Sequence, residues 1–528
     1  MAGRGPDVQQ QVTTSEKERI ARLVGGRQVI VASNRGPVEF MPDAAGRLRS
    51  RRGSGGLVTA LTALAGTLPL SWVAVAMSRG DRLAFPDASA APREVRLGKQ
   101  RLRVRLVNVP RDVYQRHYGE ISNQLLWFLQ HYLWDAARSP TVTEREYRAW
   151  DDGYAKVNAA IAEAVAAQAG ESGSRAIVLL QDYHLYLAPA IVRRHLPRAT
   201  IQQFVHIPWP AVRYWEFLPE RFLRQIFESL VACDVVGFQT PTDARNFLLG
   251  AREVLPDCRV SFDSGRIVRG RHSTLARAYP ITIDADEVRH VLDSTAGRAA
   301  ERELAPLLGG EGVRLIVRVD RLEPTKNILR GLLAFEALLR EHRDLHGTVR
   351  HLLFLVPSRE GLEIYRRYAR DVRRQIARIN AEFGTPEWQP VTAFFENNRA
   401  RGMVAMRHAD VLLVNPVIDG MNLVVKEGAV VGERDPAIVL SRTAGSYLQL
   451  APAVLPVTPT DLVETQAQLA EALAMPRDER HRLAAHARQI VLDESLTGWV
   501  MAQIRDAAQV RAPKPKAGAR LAAHARAG

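Results

Sequence analysis

Short apolar runs alternate with amphipathic segments of helical spacing along most of the chain. In the first half, the runs that predict strands are residues 28–32, 72–77, 176–180, 200–205 and 233–238. In the second half they are residues 314–319, 352–356, 391–394, 411–414 and 437–440. Strands that alternate with helices are typical of parallel sheets with helices on both faces. The pattern therefore predicts an α/β protein with two doubly wound halves.

A charged stretch of helical character, residues 281–309, separates the two sets of strands and predicts a domain boundary near residue 282. Helical periodicity over residues 461–474, 477–492 and 496–510 predicts a terminal helical run. The predicted domains are a flexible N-terminus (1–26), two Rossmann-like domains (27–282 and 283–475), helices that cross both lobes (476–510) and a disordered basic tail (511–528). Two Rossmann-like domains that face each other place the carboxyl ends of both sheets at a central cleft, where we expect the site.

Composition narrows the class of protein. The 528 residues are 46% hydrophobic, which is enough for two or three cores, and the chain has only two cysteines. Cys233 and Cys258 are too few for a disulfide framework or a structural zinc site. The chain has no run of 18 apolar residues, and its start is polar and mixed in charge, so we expect a cytoplasmic protein.

The formal charge of +15 raises the question of nucleic acid binding. Five basic residues and no acidic ones lie in the tail 511–528, and without them about +10 remains on the body. That charge is carried by single arginines among acidic residues, without the aromatic residues of a base-stacking surface. We therefore expect small anionic substrates, no nucleic acid and no membrane as partners, with homo-oligomerisation left open.

Two glycine-containing segments follow the first predicted strand. They are Ser33-Asn34-Arg35-Gly36-Pro37 and Gly53-Ser54-Gly55-Gly56-Leu57, and the second opens an apolar helix. Glycines at such a position let backbone amides approach an anion, and Arg35 would add a positive charge. Plain turns have the same composition, so this loop alone leaves a phosphate site and a turn both open.

Three further motifs stand at the ends of predicted strands, where open α/β sheets bind ligands. Asp182 and His206 follow neighbouring strands, and the alternative interpretation is that they cap secondary structure. Arg321 and Lys326 suit a diphosphate, although a solvated pair of charges is the alternative. The segment Asp419-Gly420-Met421-Asn422-Leu423-Val424, followed by Glu427, is the most distinctive, because helix-start amides and a carboxylate can bind phosphate and ribose.

Taken in order, these motifs resemble the trehalose-6-phosphate synthase family, retaining glycosyltransferases of the two-lobed GT-B fold. The resemblance runs from about Val29 to about Val491 through SNR, GGL, SNQLLW, QDYHL, HIPWP, VGFQT, YPI, VDRLEPTKN, VPSRE, DGMNLVVKE and LSRTAG. It implies two Rossmann-like domains that face a central cleft. It also implies an α,α-trehalose-phosphate synthase, which transfers glucose from a nucleotide sugar, UDP-glucose above all, to glucose 6-phosphate.

The resemblance also implies roles for particular residues. The implied catalytic residues are His206, Asp182, Arg321 and Lys326. The implied donor-binding residues are Gly56, Arg321, Lys326, Asp419, Met421, Asn422, Leu423, Val424 and Glu427. The implied acceptor-binding residues are Arg35, Tyr118, Trp127, Asp182 and Arg359. Neither a metal nor a cofactor is expected, since cationic side chains would offset the charge that grows on the departing diphosphate.

The sequence departs from the family pattern at three places. The common Gly-Trp-Ser-Gly turn is Ala76-Met77-Ser78-Arg79, the segment Leu-Asp-Tyr-x-Lys-Gly is 322–327 with the sequence LEPTKN, and Ile418 replaces an arginine. Two related activities, glucosylglycerol-phosphate synthesis and the coupling of cyclitols by a pseudo-glycosyltransferase, therefore stay open. A non-catalytic regulator that binds sugar phosphates is the alternative from another class.

Overall fold

The computed structural model describes residues 14–43, 46–53, 58, 68–87, 91–97, 100–170, 175–308 and 312–510. The predicted donor residue Gly56 and the predicted disordered tail 511–528 lie outside the described residues. Within these ranges, none of the helices is both long and apolar enough to cross a membrane.

The N-terminal half contains a ten-stranded sheet. Its strands and an accompanying hairpin (β2 and β3) are β1 (Val29–Ser33), β2 (Val38–Pro42), β3 (Leu48–Arg52), β4 (Leu70–Val75), β5 (Arg93–Leu97), β6 (Gln100–Val107), β7 (Ile177–Gln181), β8 (Thr200–Phe204), β9 (Val235–Phe238), β10 (Cys258–Ser261), β11 (Arg266–Arg269) and β12 (His272–Ala278). The order in the sheet is β10-β11-β12-β9-β8-β7-β1-β4-β6-β5. The strands from β12 through β6 run parallel, and antiparallel strands flank them at both edges.

The C-terminal half contains a six-stranded sheet in which every pairing is parallel. Its strands are β13 (Arg314–Leu322), β14 (Val349–Pro357), β15 (Val391–Phe394), β16 (Val411–Val414), β17 (Ala437–Ser441) and β18 (Leu455–Val457). They are ordered β15-β14-β13-β16-β17-β18, which is the 3-2-1-4-5-6 order of a dinucleotide-binding fold. The order reverses between β13 and β16, and ligands bind beyond the carboxyl ends of strands at such a point.

Helices cover both sheets. The α-helices are α1 (Thr14–Val24), α2 (Arg79–Ala84), α3 (Arg111–Tyr114), α4 (Trp127–Gln130), α5 (Glu144–Ala149), α6 (Lys156–Ala169), α7 (Ala188–His195), α8 (Val212–Trp215), α9 (Glu220–Leu230), α10 (Pro241–Val254), α11 (Ala285–Asp293), α12 (Thr295–Leu304), α13 (Ile328–Glu341), α14 (Glu363–Phe383), α15 (Arg399–Arg407), α16 (Leu423–Val431), α17 (Tyr447–Leu450), α18 (Leu462–Ala474), α19 (Arg477–Leu492) and α20 (Leu496–Val510). A π-helical segment, Gln115–Leu126, joins α3 to α4.

Each parallel strand at the centre of a sheet is buried on both faces. In β1, Ile30 packs into one hydrophobic cluster while Val29 and Val31 pack into another, because successive side chains point to opposite faces. The strand β13 does the same, with Ile316 on one face and Val317 on the other. Such double burial explains the continuous apolar runs in the sequence.

The chain returns to the N-terminal sheet at its C-terminal end. In α20, the indole N–H of Trp499 donates to the carbonyl of Tyr279 at 3.0 Å, and Asp506 accepts from the Tyr279 hydroxyl at 2.7 Å. The preceding helix α19 packs against the C-terminal half, where Ala487 and Val491 join the core beneath α16. The two last helices therefore contact different halves of the molecule.

The expectation of a flexible segment over residues 1–26 differs from the structure, because residues 14–24 form α1. Val24 is buried in the same cluster as Leu496 and Val500 of α20, so the end of this helix is packed against the body. The polar composition of residues 1–22 concealed this helix, whose outward residues are charged. Residues 1–13 lie outside the described ranges.

Every predicted strand overlaps an observed strand, and the charged stretch 281–309 contains α11 and α12 as expected. The strands that the sequence pattern missed are β2, β3, β5, β6, β10, β11, β12 and β18. Most of them are hairpin or edge strands, and β10 alternates between half-buried and exposed residues. Polar side chains on the open face of such strands remove the continuous apolar signal.

Candidate active site

Two adjoining cavities lie where the carboxyl ends of the two sheets meet. The Lys326 cavity, of about 470 Å³, is lined by His206, Gln239, Ile281, Val319, Asp320, Arg321, Lys326, Val356, Asp419, Met421, Asn422, Leu423 and Val424. The Arg359 cavity, of about 710 Å³, is lined by Arg35, Gln115, Tyr118, Gly119, Asn123, Arg321, Val356, Pro357, Ser358, Arg359, Gly361, Leu362 and Asn397. Arg321 and Val356 line both, so the two cavities are neighbours.

An ion pair stands in the wall of the Lys326 cavity. Lys326, in a 3₁₀ turn after β13, pairs through Nζ with Oδ2 of Asp419, which also accepts from the Asn422 side-chain amide at 3.1 Å. Burial alone would lower the pKa of Lys326 and raise that of Asp419, but their attraction outweighs burial in both. Both groups therefore carry charge at neutral pH.

The backbone of Lys326 is fixed by a buried arginine that the sequence analysis did not single out. Arg318 is 1% exposed and donates to Asp320 Oδ2 at 2.9 Å, to Asn415 Oδ1 at 2.7 Å and to the carbonyl of Lys326. These contacts join the ends of β13 and β16 to the turn between them. Arg318 thus fixes the backbone of Lys326 at the point where the strand order of the sheet reverses.

The loop before α16 passes very close to the N-terminal half. A Cβ at Gly420 would lie 2.1 Å from the carbonyl oxygen of His206, and a Cβ at Gly445 would lie 1.9 Å from the carbonyl oxygen of Gly420. No side chain fits at either position without movement of the backbone. Glycine at 420 therefore permits direct contact between the two halves beside the Lys326 cavity.

The start of α16 supplies backbone amides to the same cavity. Asn422 has φ of 69° and caps the helix, because its Oδ1 accepts from the amide of Val425 at 3.3 Å. Leu423 and Val424 are the first helical residues, and amides of a first turn have no partner within the helix. Together with the positive end of the helix dipole, they favour an anion or a hydroxyl group at this end.

Asp182 and His206 lie at the ends of neighbouring strands and contact each other. Asp182 has φ of 70°, and its Oδ1 accepts from the backbone amide of His206 at 3.2 Å. Burial raises the pKa of Asp182 to about 6, and burial lowers the pKa of His206 to about 3. The imidazole is neutral at pH 7, and its Nε2–H donates to Gln181 at 3.0 Å while Gln239 contacts Nδ1 at 3.5 Å.

Arg359 enters its cavity from the C-terminal half and rests on aromatic rings. Its guanidinium lies 4.0 Å from the centre of the Trp127 ring, and it donates to the hydroxyls of Tyr365 at 2.6 Å and Tyr183 at 3.4 Å. Burial would lower the pKa of Arg359, but the neighbouring tyrosines and Glu323 raise it above its ordinary value. Trp127 is 5% exposed and lies beneath Arg359, so it supports this arginine and does not line the cavity.

Tyr118 lies between two arginines. Its ring stacks on those of Tyr114 and His184, with centres 5.5 and 5.8 Å apart. Burial would raise the pKa of Tyr118, but the charges of Arg35 and Arg359 and a hydrogen bond with Arg35 bring it below its ordinary value. The Tyr118 hydroxyl therefore lies in a positive field suited to a phosphate group.

Glu427 lies on α16 but not in the described lining of the Lys326 cavity. Burial raises the pKa of Glu427 to about 7, although Arg399, whose guanidinium is 3.3 Å from Glu427 Oε1, opposes this change. The arginine also pairs with Glu287 of α11. Of the other predicted site residues, Trp127 and Asp182 are absent from the linings of the two cavities, although Asp182 is partly exposed, and Gly56 is outside the described residues.

The segment that replaces the family's Gly-Trp-Ser-Gly turn forms the start of α2. Ser78 caps this helix, and Asp81 accepts from the backbone amides of Phe40 at 2.8 Å, Met77 at 3.1 Å and Ser78 at 2.9 Å. Met77 lines a third cavity, of about 460 Å³, that shares Arg35 and Asn397 with the Arg359 cavity. The departure at residues 76–79 thus lies one cavity away from Arg359.

Several buried polar residues near the site stand within or beside the sequence motifs but were given no role from the sequence. They are Arg318, Glu323, Gln181, Gln239 and Lys426. Lys426 is 1% exposed, and its ammonium donates to the carbonyl of Ile281 at 3.0 Å and to Glu494 at 2.8 Å, so it ties α16 to the segment between the halves. The available signal was a charged residue inside an apolar run, which is rare without a partner.

Comparison with known proteins adds the following findings. The model of the family described as glycosyltransferase family 20 matches residues 27–509. The chain is 33% identical over 468 residues to the bifunctional trehalose-6-phosphate synthase/phosphatase of Thermoproteus tenax, covering 86% of this chain but only 60% of that protein. It is 35% identical to the trehalose-6-phosphate synthase of Mycolicibacterium vanbaalenii (88% and 93% covered) and 30% identical to the validamine 7-phosphate valienyltransferase of Streptomyces hygroscopicus subsp. jinggangensis (91% and 94% covered).

Solved structures share the same fold. The trehalose-6-phosphate protein from E. coli bound with UDP-2-fluoro glucose superposes with a TM-score of 0.78 at 25% identity, covering 91% of this chain and 99% of the other. A UDP-forming α,α-trehalose-phosphate synthase from Burkholderia xenovorans in complex with glucose-6-phosphate has a TM-score of 0.74 at 25% identity, covering 91% of this chain and all of the other (100%).

Proposed function

The chain belongs to glycosyltransferase family 20, and from this premise we propose that it transfers glucose from UDP-glucose to glucose 6-phosphate and forms α,α-trehalose 6-phosphate. The observation that carries the proposal is the pair of adjoining cavities that share Arg321. Each has its own cation for a phosphate, Lys326 in one and Arg359 in the other. A nucleotide sugar and a sugar phosphate can therefore bind side by side with their reacting groups at the junction.

The donor occupies the Lys326 cavity. Arg321 and Lys326 hold the diphosphate, whose charge they offset. Asp419 binds hydroxyls of the glucose together with the amides of Met421 and Asn422, which precede α16, and of Leu423 and Val424, which begin it. Glu427 accepts from the ribose. Gly56 is assigned to the donor by the family resemblance alone, since it lies outside the described residues. Lys326 and Asp419 form an ion pair in one wall of the cavity, so the cation that holds the diphosphate also holds the carboxylate that binds the glucose.

The acceptor occupies the Arg359 cavity. Arg35 and Arg359 grip its phosphate, and the hydroxyl of Tyr118 lies between them. Asp182 accepts a hydrogen bond from a sugar hydroxyl, for which it must be ionised. Trp127 acts from beneath, by holding Arg359 against its ring.

The reaction breaks the bond between C1 of glucose and the diphosphate oxygen and forms a bond from C1 to the acceptor hydroxyl on the same face. The hydroxyl proton passes to the departing diphosphate, so that UDP and the disaccharide phosphate are the products. Arg321, Lys326 and the helix amides stabilise the negative charge that grows on the leaving oxygen. His206 is neutral and lines the donor cavity, where it touches the donor sugar, while its one N–H donates to Gln181.

One second candidate has an observation in its favour. The valienyltransferase from Streptomyces is 30% identical over nearly its whole length, and this chain lacks the common aromatic turn at residues 76–79. A cyclitol phosphate in place of glucose 6-phosphate would need the same phosphate grip. The two candidates differ in both substrates, because a valienyltransferase transfers a valienyl group in place of glucose and takes validamine 7-phosphate in place of glucose 6-phosphate.

The test is product formation by the purified protein. UDP-, GDP- and ADP-glucose are each paired with glucose 6-phosphate and with glycerol 3-phosphate, a nucleotide-linked valienol is paired with validamine 7-phosphate, and the products are identified by mass. We expect UDP release and a disaccharide phosphate from UDP-glucose and glucose 6-phosphate. Turnover only with another acceptor would assign a different transferase activity, and binding of both substrates without turnover would indicate a regulator.

A further inference from the structure

Glu323 is a fully buried carboxylate between the two cavities. It directly precedes the 3₁₀ turn that carries Lys326, and its side chain is 0% exposed. Its Oε1 lies 2.9 Å from the guanidinium of Arg321, and its Oε2 lies 3.4 Å from the guanidinium of Arg359. One carboxylate thus contacts the arginine of each proposed phosphate site.

Two hydroxyls complete the surroundings of this carboxylate. Thr325 donates to Oε1 at 3.0 Å and Ser358 donates to Oε2 at 3.4 Å. Burial alone would raise the pKa of Glu323, but the charges of Arg321, Arg359 and Lys326 outweigh burial and lower it. The group is ionised at neutral pH, and each oxygen forms an ion pair with one arginine and accepts a hydrogen bond from one hydroxyl.

The same two arginines also share an aromatic ring. The guanidinium of Arg359 lies 4.0 Å from the centre of Trp127, and that of Arg321 lies 5.4 Å from it. The ring limits movement of the guanidinium groups in one direction, and Glu323 limits their rotation. A long arginine side chain has many rotamers, and ordering it when a phosphate binds costs conformational entropy. The contacts with Trp127 and Glu323 restrict the rotamers beforehand and so reduce that cost.

We propose that Glu323 is a positioning residue that orients Arg321 toward the donor diphosphate and Arg359 toward the acceptor phosphate. This inference rests on the function proposed above. It assigns a task to a residue at which the chain departs from the family's Leu-Asp-Tyr pattern. Glutamate at this position spans both guanidinium groups with one oxygen each, and it touches neither substrate.

Loss of the Glu323 charge has two opposed consequences. Removal of a negative charge beside two anion sites would by itself tighten the binding of phosphates. Loss of orientation would weaken binding and slow the reaction, because misaligned arginines no longer meet the charge that develops on the leaving group. If orientation dominates, as we propose, loss of the Glu323 charge weakens the binding of phosphates. If the charge itself dominates, the same loss tightens it.

The first experiment compares Glu323→Gln and Glu323→Asp with the wild type by steady-state kinetics. We expect Glu323→Gln to lower kcat/KM for both UDP-glucose and glucose 6-phosphate by about tenfold or more, and Glu323→Asp to recover part of the loss. The matched control is Glu336→Gln, which removes another buried carboxylate with two arginine partners, Arg340 and Arg378; none of these three residues lines either cavity. Tighter binding, a change for one substrate only, or an equal loss in Glu336→Gln would overturn the inference.

A second experiment asks whether Glu323 acts through the arginines. In the Arg359→Ala background, Glu323→Gln is expected to cause no further rise in the KM for glucose 6-phosphate, while it still raises the KM for UDP-glucose. In the Arg321→Ala background the pattern is reversed. Additive effects in both backgrounds would contradict the assigned role, because residues that act through one contact are not additive.

Failure of the proposed function can be told apart from failure of this inference. If the wild type forms no product from UDP-glucose and glucose 6-phosphate, the proposed function is wrong. Glu323 is then tested by titration with inorganic pyrophosphate, whose affinity we expect to fall at least about fivefold in Glu323→Gln and to stay unchanged in Glu336→Gln. Equal or tighter pyrophosphate binding in Glu323→Gln would overturn the inference on its own.

Discussion

The two cavities at the cleft are built in different ways. The charged groups of the Lys326 cavity come from the C-terminal sheet, where Lys326 pairs with Asp419 and Arg318 holds the turn from beneath. The Arg359 cavity combines both halves, because Arg359 from the C-terminal half rests on Trp127 and Tyr183 from the N-terminal half. The charged groups of the proposed donor site are therefore preorganised within one lobe, whereas those of the proposed acceptor site depend on how the two lobes meet.

This difference indicates that the acceptor site can change in evolution more easily than the donor site. A diphosphate needs cations and helix amides at fixed places, and the C-terminal lobe supplies them without help from its neighbour. The proposed acceptor site is assembled from separate elements, among them the loop with Arg35, the π-helical segment with Tyr118 and the segment with Arg359. Changes in those elements alter the acceptor wall without disturbing the donor groups.

The largest expected effect follows from loss of the cation in the Lys326 cavity. Lys326→Ala is expected to lower kcat by about a hundredfold to a thousandfold, because a charge aimed at the leaving diphosphate acts mainly in the transition state. The measurement is steady-state turnover of UDP-glucose with glucose 6-phosphate. Lys156→Ala removes an exposed lysine that pairs with Asp152 and serves as the control. An unchanged kcat with a higher KM for UDP-glucose would assign Lys326 to ground-state binding alone.

The second effect concerns the cation of the Arg359 cavity. Arg359→Ala is expected to raise the KM for glucose 6-phosphate about thirtyfold, since a charge-assisted phosphate contact contributes roughly 2 kcal/mol or more. The dissociation constant for UDP, measured by calorimetry, is expected to change far less. Arg366→Ala, on the exposed face of α14, is the control. Equal losses of donor affinity in Arg359→Ala and Lys326→Ala would contradict the division into two sites.

The third effect tests the contact between the lobes. Gly420→Ala places a Cβ against the carbonyl of His206 and is expected to lower kcat/KM about tenfold and the free energy of unfolding by about 1–3 kcal/mol. Thermal unfolding and kinetics measure the two quantities. Gly347→Asn is the control, because nothing lies within 4 Å of a Cβ there and asparagine tolerates its φ of 76°. A Gly420→Ala variant with normal activity would show that the lobes need not approach this closely.

The smallest effect is a dependence of donor affinity on pH. Burial raises the pKa of Glu427 to about 7, so the carboxyl gains a proton as the pH falls through this value and accepts less well from a ribose hydroxyl. The affinity for UDP-glucose, which has no group that titrates near pH 7, is expected to fall about threefold between pH 8 and pH 6. Glu427→Gln is expected to abolish the difference. The same pH dependence in Glu427→Gln would assign it to another group.

Much of the fold could be predicted from the sequence, because central strands of a parallel sheet are buried on both faces and read as apolar runs. The β13 and β16 strands were predicted for this reason. In edge strands such as β10, half-buried and exposed residues alternate, so these strands lack a continuous apolar run and were missed. The helix α1 was missed because its polar surface resembles a flexible segment, and only its packing against α20 distinguishes the two.

The sequence by itself determined which charged side chains follow the buried strands. Because parallel strands end at the same edge of a sheet, these side chains were expected to lie close together. It indicated Arg321, Lys326 and Asp419 before any contact was known. Only the tertiary structure decided that Glu323 contacts both arginines and that Trp127 lies beneath one of them. Such contacts join residues from different lobes or strands, and their distances depend on how whole elements pack, which the local pattern of residues does not encode.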